Sequence, residues 1–172
     1  RCVWPASLSA ERRPEVSELL DIAGRIVGWA ESSEQVEAVV VYERETEVRA
    51  YEGEVESLTA AESRGVGVRV VRDGRQGFAY AGTLDPDALA EVLREARDNL
   101  GFATPDEHCA LAEPDGVAPA EMDLYRASVL DHPTDAKVQL ALDLERLTRS
   151  ADHRISGVES AEYSDSASES AV

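Results

Sequence analysis

The stretch Arg64-Gly65-Val66-Gly67-Val68-Arg69-Val70-Val71-Arg72-Asp73-Gly74-Arg75-Gln76-Gly77-Phe78-Ala79-Tyr80 decides the fold, because two strand-like runs meet in it at Asp73-Gly74. Asp-Gly between alternating apolar runs is a strong hairpin signal, since a type I′ turn needs positive φ at both central residues. With these two residues as the loop, Arg72 pairs with Arg75, Val70 with Gly77, Arg69 with Phe78, Val68 with Ala79 and Gly67 with Tyr80. Val66, Val68, Val70, Gly77, Ala79 and Ala81 then share a smooth apolar face suited to packing under helices. Gly65, Gly67, Arg69, Phe78 and Tyr80 share the other, where Tyr80 is expected to cover the bare backbone at Gly67 and Phe78 to lie against Arg69. The Gly65-Val66-Gly67 start of a phosphate-binding GxGxxG pattern fails, because Val70 holds the third glycine position and a strand follows where a helix N-terminus is needed.

Upstream, Val16, Leu19, Leu20, Ala23, Ile26, Val27 and Ala30 recur at helical spacing, and Gly24 and Gly28 lie four apart as though to admit strands beneath. Val36 to Glu43 alternates with β-branched enrichment on both parities, which predicts a central strand buried on both faces. Arg44-Glu45 is read as a turn into Thr46–Tyr51, and Glu52-Gly53 as another into a strand over Glu54–Ser63. Downstream, Asp85 and Pro86 form an N-cap and first helical position, Leu89, Val92, Leu93, Ala96 and Leu100 the apolar stripe, and Gly101 the stop. The pattern is α+β: an antiparallel or mixed sheet with a central hairpin and two helices on one face.

The Pro- and acid-rich stretch from Thr104 to Pro133 reads as a surface connector. Pro133 opens a further helix in which Val138, Ala141, Leu142, Glu145 and Thr148 compete with Leu140, Leu144 and Leu147 for the buried side, a width that suggests more than one neighbour. Ile155 to Val172 alternates like a strand whose partners are expected beyond this chain. The expected organisation is an extension over 1–14, an α+β domain over 15–112, a connector over 113–132, and a helix and strand over 133–172 leading into a C-terminal domain.

With 35 acidic and 17 basic residues, a formal charge of −18 repels phosphate backbones and argues against direct nucleic-acid binding. Cys2 and Cys109 lack CxxC spacing, so neither a disulfide framework nor a zinc ribbon is suggested, in keeping with a reducing cytoplasm. No run reaches transmembrane length, so no membrane partner is expected. His108, His132 and His153 are each followed by something other than Glu. Glu107-His108-Cys109 is a local cluster of ligand types, but adjacent side chains rarely converge on one ion. Asp131-His132 could orient a base, yet no nucleophile is placed beside it, and His153 between Asp152 and Arg154 suits a helix C-terminus.

The run GxGxRVxxxGxxGFA at Gly65–Ala79, preceded by an amphipathic helix and two strands and followed by a Pro-started helix, resembles the N-terminal domain of the TldD/PmbA (TldE) family, bacterial and archaeal metalloproteases also described as modulators of DNA gyrase. The likeness extends from about Glu15 to Val172. Thr104-Pro105-Asp106-Glu107-His108 through Leu111, and Ala151 through Ser156, look more like the PmbA branch than the TldD branch. In the TldD branch the resemblance implies an HExxxH zinc motif, which matches nothing here, so no catalytic, cofactor-binding or metal residue is carried over. Zinc would belong to a partner subunit or to residues outside this chain. The resemblance implies a cytoplasmic peptide-processing complex, a heterodimer with a TldD-like catalytic subunit or a self-associated one, and a gyrase connection running through protein. Arg69, Phe78 and Tyr80 are the expected peptide-facing surface, with an extended peptide held by main-chain bonds. The alternatives are an acidic, non-enzymatic adaptor, or a self-contained hydrolase using His132 or His153.

Overall fold

The computed structural model describes residues 15–172 apart from 114, 119 and 121, so the expected extension over 1–14 lies outside the described residues. The elements run α1 (Val16–Val27), β1 (Gln35–Tyr51), β2 (Glu54–Arg72), β3 (Arg75–Ala81), α2 (Pro86–Asn99), a short α3 (Ala127–Leu130), α4 (Thr134–Ala151) and β4 (Ala161–Ala171). The strands form one antiparallel sheet in the order β3-β2-β1-β4. The fold is α+β, as the pattern of elements implied.

Two turns, and a bulge at Arg49/Ala50 that shifts the β1–β2 ladder by one residue, fix most of the register. Asp73 (φ 53°) and Gly74 (φ 69°) both take the left-handed conformation, and β2 pairs with β3 as expected, Val70 opposite Gly77 and Gly67 opposite Tyr80. Glu52 (φ 53°) and Gly53 (φ 81°) repeat this geometry between β1 and β2. The turn expected at Arg44-Glu45 is absent: β1 runs unbroken for 17 residues, because two charged residues on an exposed stretch of strand interrupt nothing that the ladder needs. The strand predicted to pair beyond this chain has a neighbour within it, since β4 lies along β1 from Val40↔Ala171 to Ala50↔Ala161.

All three long helices lie on one face. Leu19, Ala23 and Ile26 of α1 and Leu89, Val92, Leu93 and Ala96 of α2 close over Val36, Ala38, Val40, Val66, Val68, Val70 and Ala79. Farther along the same ribbon, Ala141 of α4 packs on Val48, Ala50 and Ala161. The α1 stripe is narrower than its periodicity implied, leaving Val16, Leu20 and Val27 about half exposed. Of the two competing sides of α4, that of Leu140, Leu144 and Leu147 is about half exposed and that of Ala141 and Glu145 is buried, with Lys137 added to it. Glu145 reaches the β1–β2 turn, where it accepts a 2.9 Å hydrogen bond from the Gly53 amide.

The closest contact in this packing is between α2 and β3. A Cβ at Gly77 would lie 1.9 Å from the Ala96 carbonyl oxygen and 2.8 Å from the Leu100 nitrogen. Only hydrogen fits there. Gly24, expected to admit a strand, has nothing within 4 Å of where a Cβ would stand and faces solvent, and Gly28 simply ends α1. The helix expected to stop at Gly101 ends at Asn99 and tightens into a 3-10 turn over Leu100–Phe102, which keeps Leu100 in the core.

A partly buried ion pair ties the α1–β1 loop to α2. Arg97 donates to both carboxylate oxygens of Glu34 at 2.8–3.1 Å and to the Trp29 carbonyl at 2.8 Å, while Arg72 approaches Glu34 at 3.4 Å. The Arg97 guanidinium holds the Glu34 carboxyl below its ordinary value, against the opposing effect of burial. Stability from this pair is therefore present above the ordinary glutamate value of 4.5 and is lost as pH falls through the depressed one. Replacing Glu34 by Gln should flatten the decline in stability below about pH 4.5 in urea titrations run across pH. An unaltered acid limb would assign that decline to other carboxylates.

Gly77→Ala should cost about 3 kcal/mol or more, since neither the helix carbonyl nor the strand can move freely. Gly24→Ala should instead add about 0.5–1 kcal/mol by improving an exposed helix interior. Denaturation midpoints of the two variants give the comparison.

Candidate functional site

Strand alternation sends every second residue away from the helices, so the uncovered face of the sheet is set by β1 and β2 as much as by the hairpin. Glu37, Val39 and Val41 of β1, Gly65, Gly67 and Arg69 of β2, and Phe78 and Tyr80 of β3 line a shallow hollow of about 410 Å³ on that face. Val39 and Val41 are half-buried, which corrects the expectation of a strand buried on both sides: helices cover one face only. Beyond Val41 the same parity of β1 carries Glu43, Glu45 and Glu47.

The structure brings Arg69, Phe78 and Tyr80 together as the sequence suggested, with two changes in detail. Phe78, rather than Tyr80, covers Gly67: its ring carbons would be 3.3 Å from a Cβ there, the diagonal neighbour being nearer than the residue directly opposite. Arg69 lies against Glu37 rather than Phe78, with Nη2 and Nε donating to one carboxylate oxygen at 2.9 and 3.0 Å. A charge-assisted bond outcompetes stacking where a cross-strand carboxylate is within reach. Phe78 and Tyr80 stack on each other, centroids 6.4 Å apart and planes inclined by 29°. Tyr80 is 77% exposed and Phe78 56%. The Phe78 carbonyl is fixed from the helix side by the Asn99 amide at 2.8 Å.

Glu37, Val39 and Val41 were not among the residues singled out from sequence. They become visible only once the bulge at Arg49/Ala50 is known, because the Glu52-Gly53 turn alone would set Val39 opposite Val66, and the one-residue shift at the bulge brings Val39 opposite Gly67 and Glu37 opposite Arg69.

The histidines are elsewhere. His108 and His153 are exposed, each beside a single carboxylate, Glu107 at 3.7 Å and Asp152 at 3.5 Å, and His132 is exposed as well. Among the described residues no three His, Cys, Asp or Glu side chains converge as a metal would require, so these residues do not fit a catalytic zinc. Among the same residues no helix is long and apolar enough to cross a membrane.

The family model for PmbA/TldA metallopeptidase domain 1 matches residues 36–100. Residues 36–100 thus resemble a PmbA/TldD-family first domain. The matched segment of that domain runs from the second residue of β1 to the end of α2, so it contains the whole hollow and Gly77. The metalloprotease PmbA of Escherichia coli O157:H7 is 32% identical over 117 residues, covering 64% of this chain and 25% of PmbA. Two solved structures of proposed DNA gyrase modulators superpose on the fold: one from Thermotoga maritima, at a TM-score of 0.71 with 20% identity over 87% of this chain and 33% of that one, and one from Bacteroides thetaiotaomicron, at 0.68 with 21% identity over 87% and 34%. TldE from Thermococcus kodakarensis superposes at 0.60 with 18% identity over 90% of this chain and 34% of that one. This chain therefore spans about a quarter of the curated relative and about a third of each solved structure.

Proposed function

We propose that this chain is the N-terminal part of a PmbA-like protein in a cytoplasmic zinc metalloprotease complex, where it supplies scaffold and chamber wall while the metal chemistry belongs to a TldD-like partner subunit or to residues outside this chain. Three things support the reading: the match to a family first domain, the likeness to PmbA, and the lack of fit between the described histidines and a zinc site.

The observation that carries the functional role is the open hollow. Two stacked aromatics stand largely exposed beside a floor of Val39, Val41 and two glycines, with the Arg69–Glu37 pair at its margin. An exposed apolar surface bounded by charge is what a ligand with alternating side chains covers. A peptide laid there is held by its side chains where the backbone is already paired on both sides, over 40–50 of β1 and 66–71 of β2. Main-chain pairing in the sheet is open along the outer edges of β3 and β4 and along β1 over 35–39 and β2 over 54–65, where β4 and β3 do not reach; at β3 Asn99 already takes the Phe78 carbonyl.

Tyr80→Ala and Phe78→Ala in the full-length protein should lower peptide processing by the assembled complex by about tenfold, as loss of an aromatic anchor does. Both side chains are mostly exposed, so the denaturation midpoint should move by no more than about 0.5 kcal/mol. A loss of processing that merely tracks a loss of stability would reduce the aromatics to packing.

The second reading is an acidic adaptor with no peptide role, favoured by the charge of −18. Affinity capture with the full-length protein separates the two: recovery of a TldD-like subunit supports the protease complex, and recovery of unrelated proteins alone supports the adaptor.

A further inference from the structure

Three of the four strands are tied by two-residue turns, which settle the β2–β3 register directly and the β1–β2 register together with the bulge at Arg49/Ala50. β4 has no such tie. It is reached through α4 and the irregular segment 152–160, and its sequence does little to choose a register by shape. Its outward residues are Glu162 followed by four serines, and its inward ones are Ala161, Tyr163, Asp165, Ala167, Glu169 and Ala171. A slip of two residues preserves that alternation, so among the inward side chains the alanines do not choose between neighbouring registers and the choice falls to Tyr163, Asp165 and Glu169.

We infer that the buried Lys137–Asp165 ion pair is the register lock of β4. The Lys137 ammonium on α4 lies 2.7 Å from Asp165 Oδ2 and donates to Thr46 Oγ1 at 3.3 Å. Thr46 and Asp165 are directly opposed on β1 and β4, so one cation contacts both halves of a single cross-strand pair. The Lys137 and Asp165 side chains are each only 4% exposed. Tyr163 completes the group by donating its hydroxyl to Asp165 Oδ2 at 2.7 Å. A two-residue slip one way sets Ala167 opposite Thr46 and moves Asp165 to Val48. The other way sets Tyr163 opposite Thr46 and moves Asp165 to Arg44. Either slip leaves a buried ammonium without its carboxylate, a costly defect, while most of the backbone ladder can re-form. The pair therefore acts against the alternative registers more than it adds to the native one. Setting register is a well-attested use of a buried polar group.

Disulfide trapping on the uncovered face tests this. Glu47 and Ser164 are opposite partners, and in the two slipped registers Glu47 would face Ser166 or Glu162. In the full chain with Cys2 and Cys109 changed to Ser, the cysteine pairs 47/164, 47/162 and 47/166 are oxidised under identical conditions, since only a closely opposed pair closes readily. With the ion pair intact, 47/164 should dominate. In the Lys137→Met, Asp165→Leu background, crosslinking of 47/162 or 47/166 relative to 47/164 should rise by about tenfold or more, on the expectation that an apolar pair leaves the fold stable without choosing a register. If that double variant fails to melt cooperatively, Asp165→Asn, which keeps the size and removes the charge, is read with the same three pairs. Unchanged dominance of 47/164 in the folded variant would overturn the inference, as would comparable crosslinking of all three pairs with the ion pair intact.

Discussion

The contact on which the packing depends most is the passage of α2 over β3 at Gly77. Helix backbone and strand backbone meet there with no side chain between them, the Ala96 carbonyl standing 1.9 Å from where a Cβ would be. This seats Leu89, Val92, Leu93 and Ala96 deep against the valines of β2, and Arg97, one residue beyond Ala96, comes within reach of Glu34 on the loop before β1. Backbone proximity at one residue thus settles both the apolar seam and the ion pair that closes its end. Pairing of that kind tolerates no slack, because close-packed interiors transmit displacement.

Covering one face so completely is what leaves the other free. The three long helices lie on a single side of a four-stranded sheet, and the exposed parity of β1 and β2 is left with glycines, two valines and the Arg69–Glu37 pair. Antiparallel sheets commonly keep one face wet, but the wet face is then usually polar. Here its hairpin end is apolar and aromatic while its distal end is acidic and serine-rich, so the two ends differ in what they can contact.

What the sequence disclosed was whatever a dipeptide or a period can specify. Asp73-Gly74 and Glu52-Gly53 carry their own backbone requirement, so the hairpin pairings and the partition of its faces could be written down residue by residue. Arg44-Glu45 misled because charge resembles a turn in composition, although only the loss of hydrogen bonding or a special φ makes one. One member of the buried side of α4 was hidden for the opposite reason. Lys137 has the spacing of a core position, one turn before Ala141, but its chemistry argues for solvent until Asp165 is known to lie beneath it. Diagonal contacts such as Phe78 over Gly67 depend on sheet twist, which alternation does not encode.

The 17 and 19 residues of β1 and β2 make a ribbon longer than either of its apolar clusters. One cluster sits under α1 and α2 and the other under α4, and they have no buried apolar residue in common. Between them, at Thr46 and Asp165, the strands are joined by their amide ladders and by the buried Lys137 ion pair rather than by apolar packing, so two apolar blocks are threaded on one pair of rails. The smaller block, anchored by Ala141, Val48 and Ala50, answers to α4, whose Glu145 holds the tip at Glu52-Gly53, whereas the opposite end at Asp73-Gly74 is held by the connector through the Asp106 amide, so each end of the ribbon is fastened by a different part of the chain.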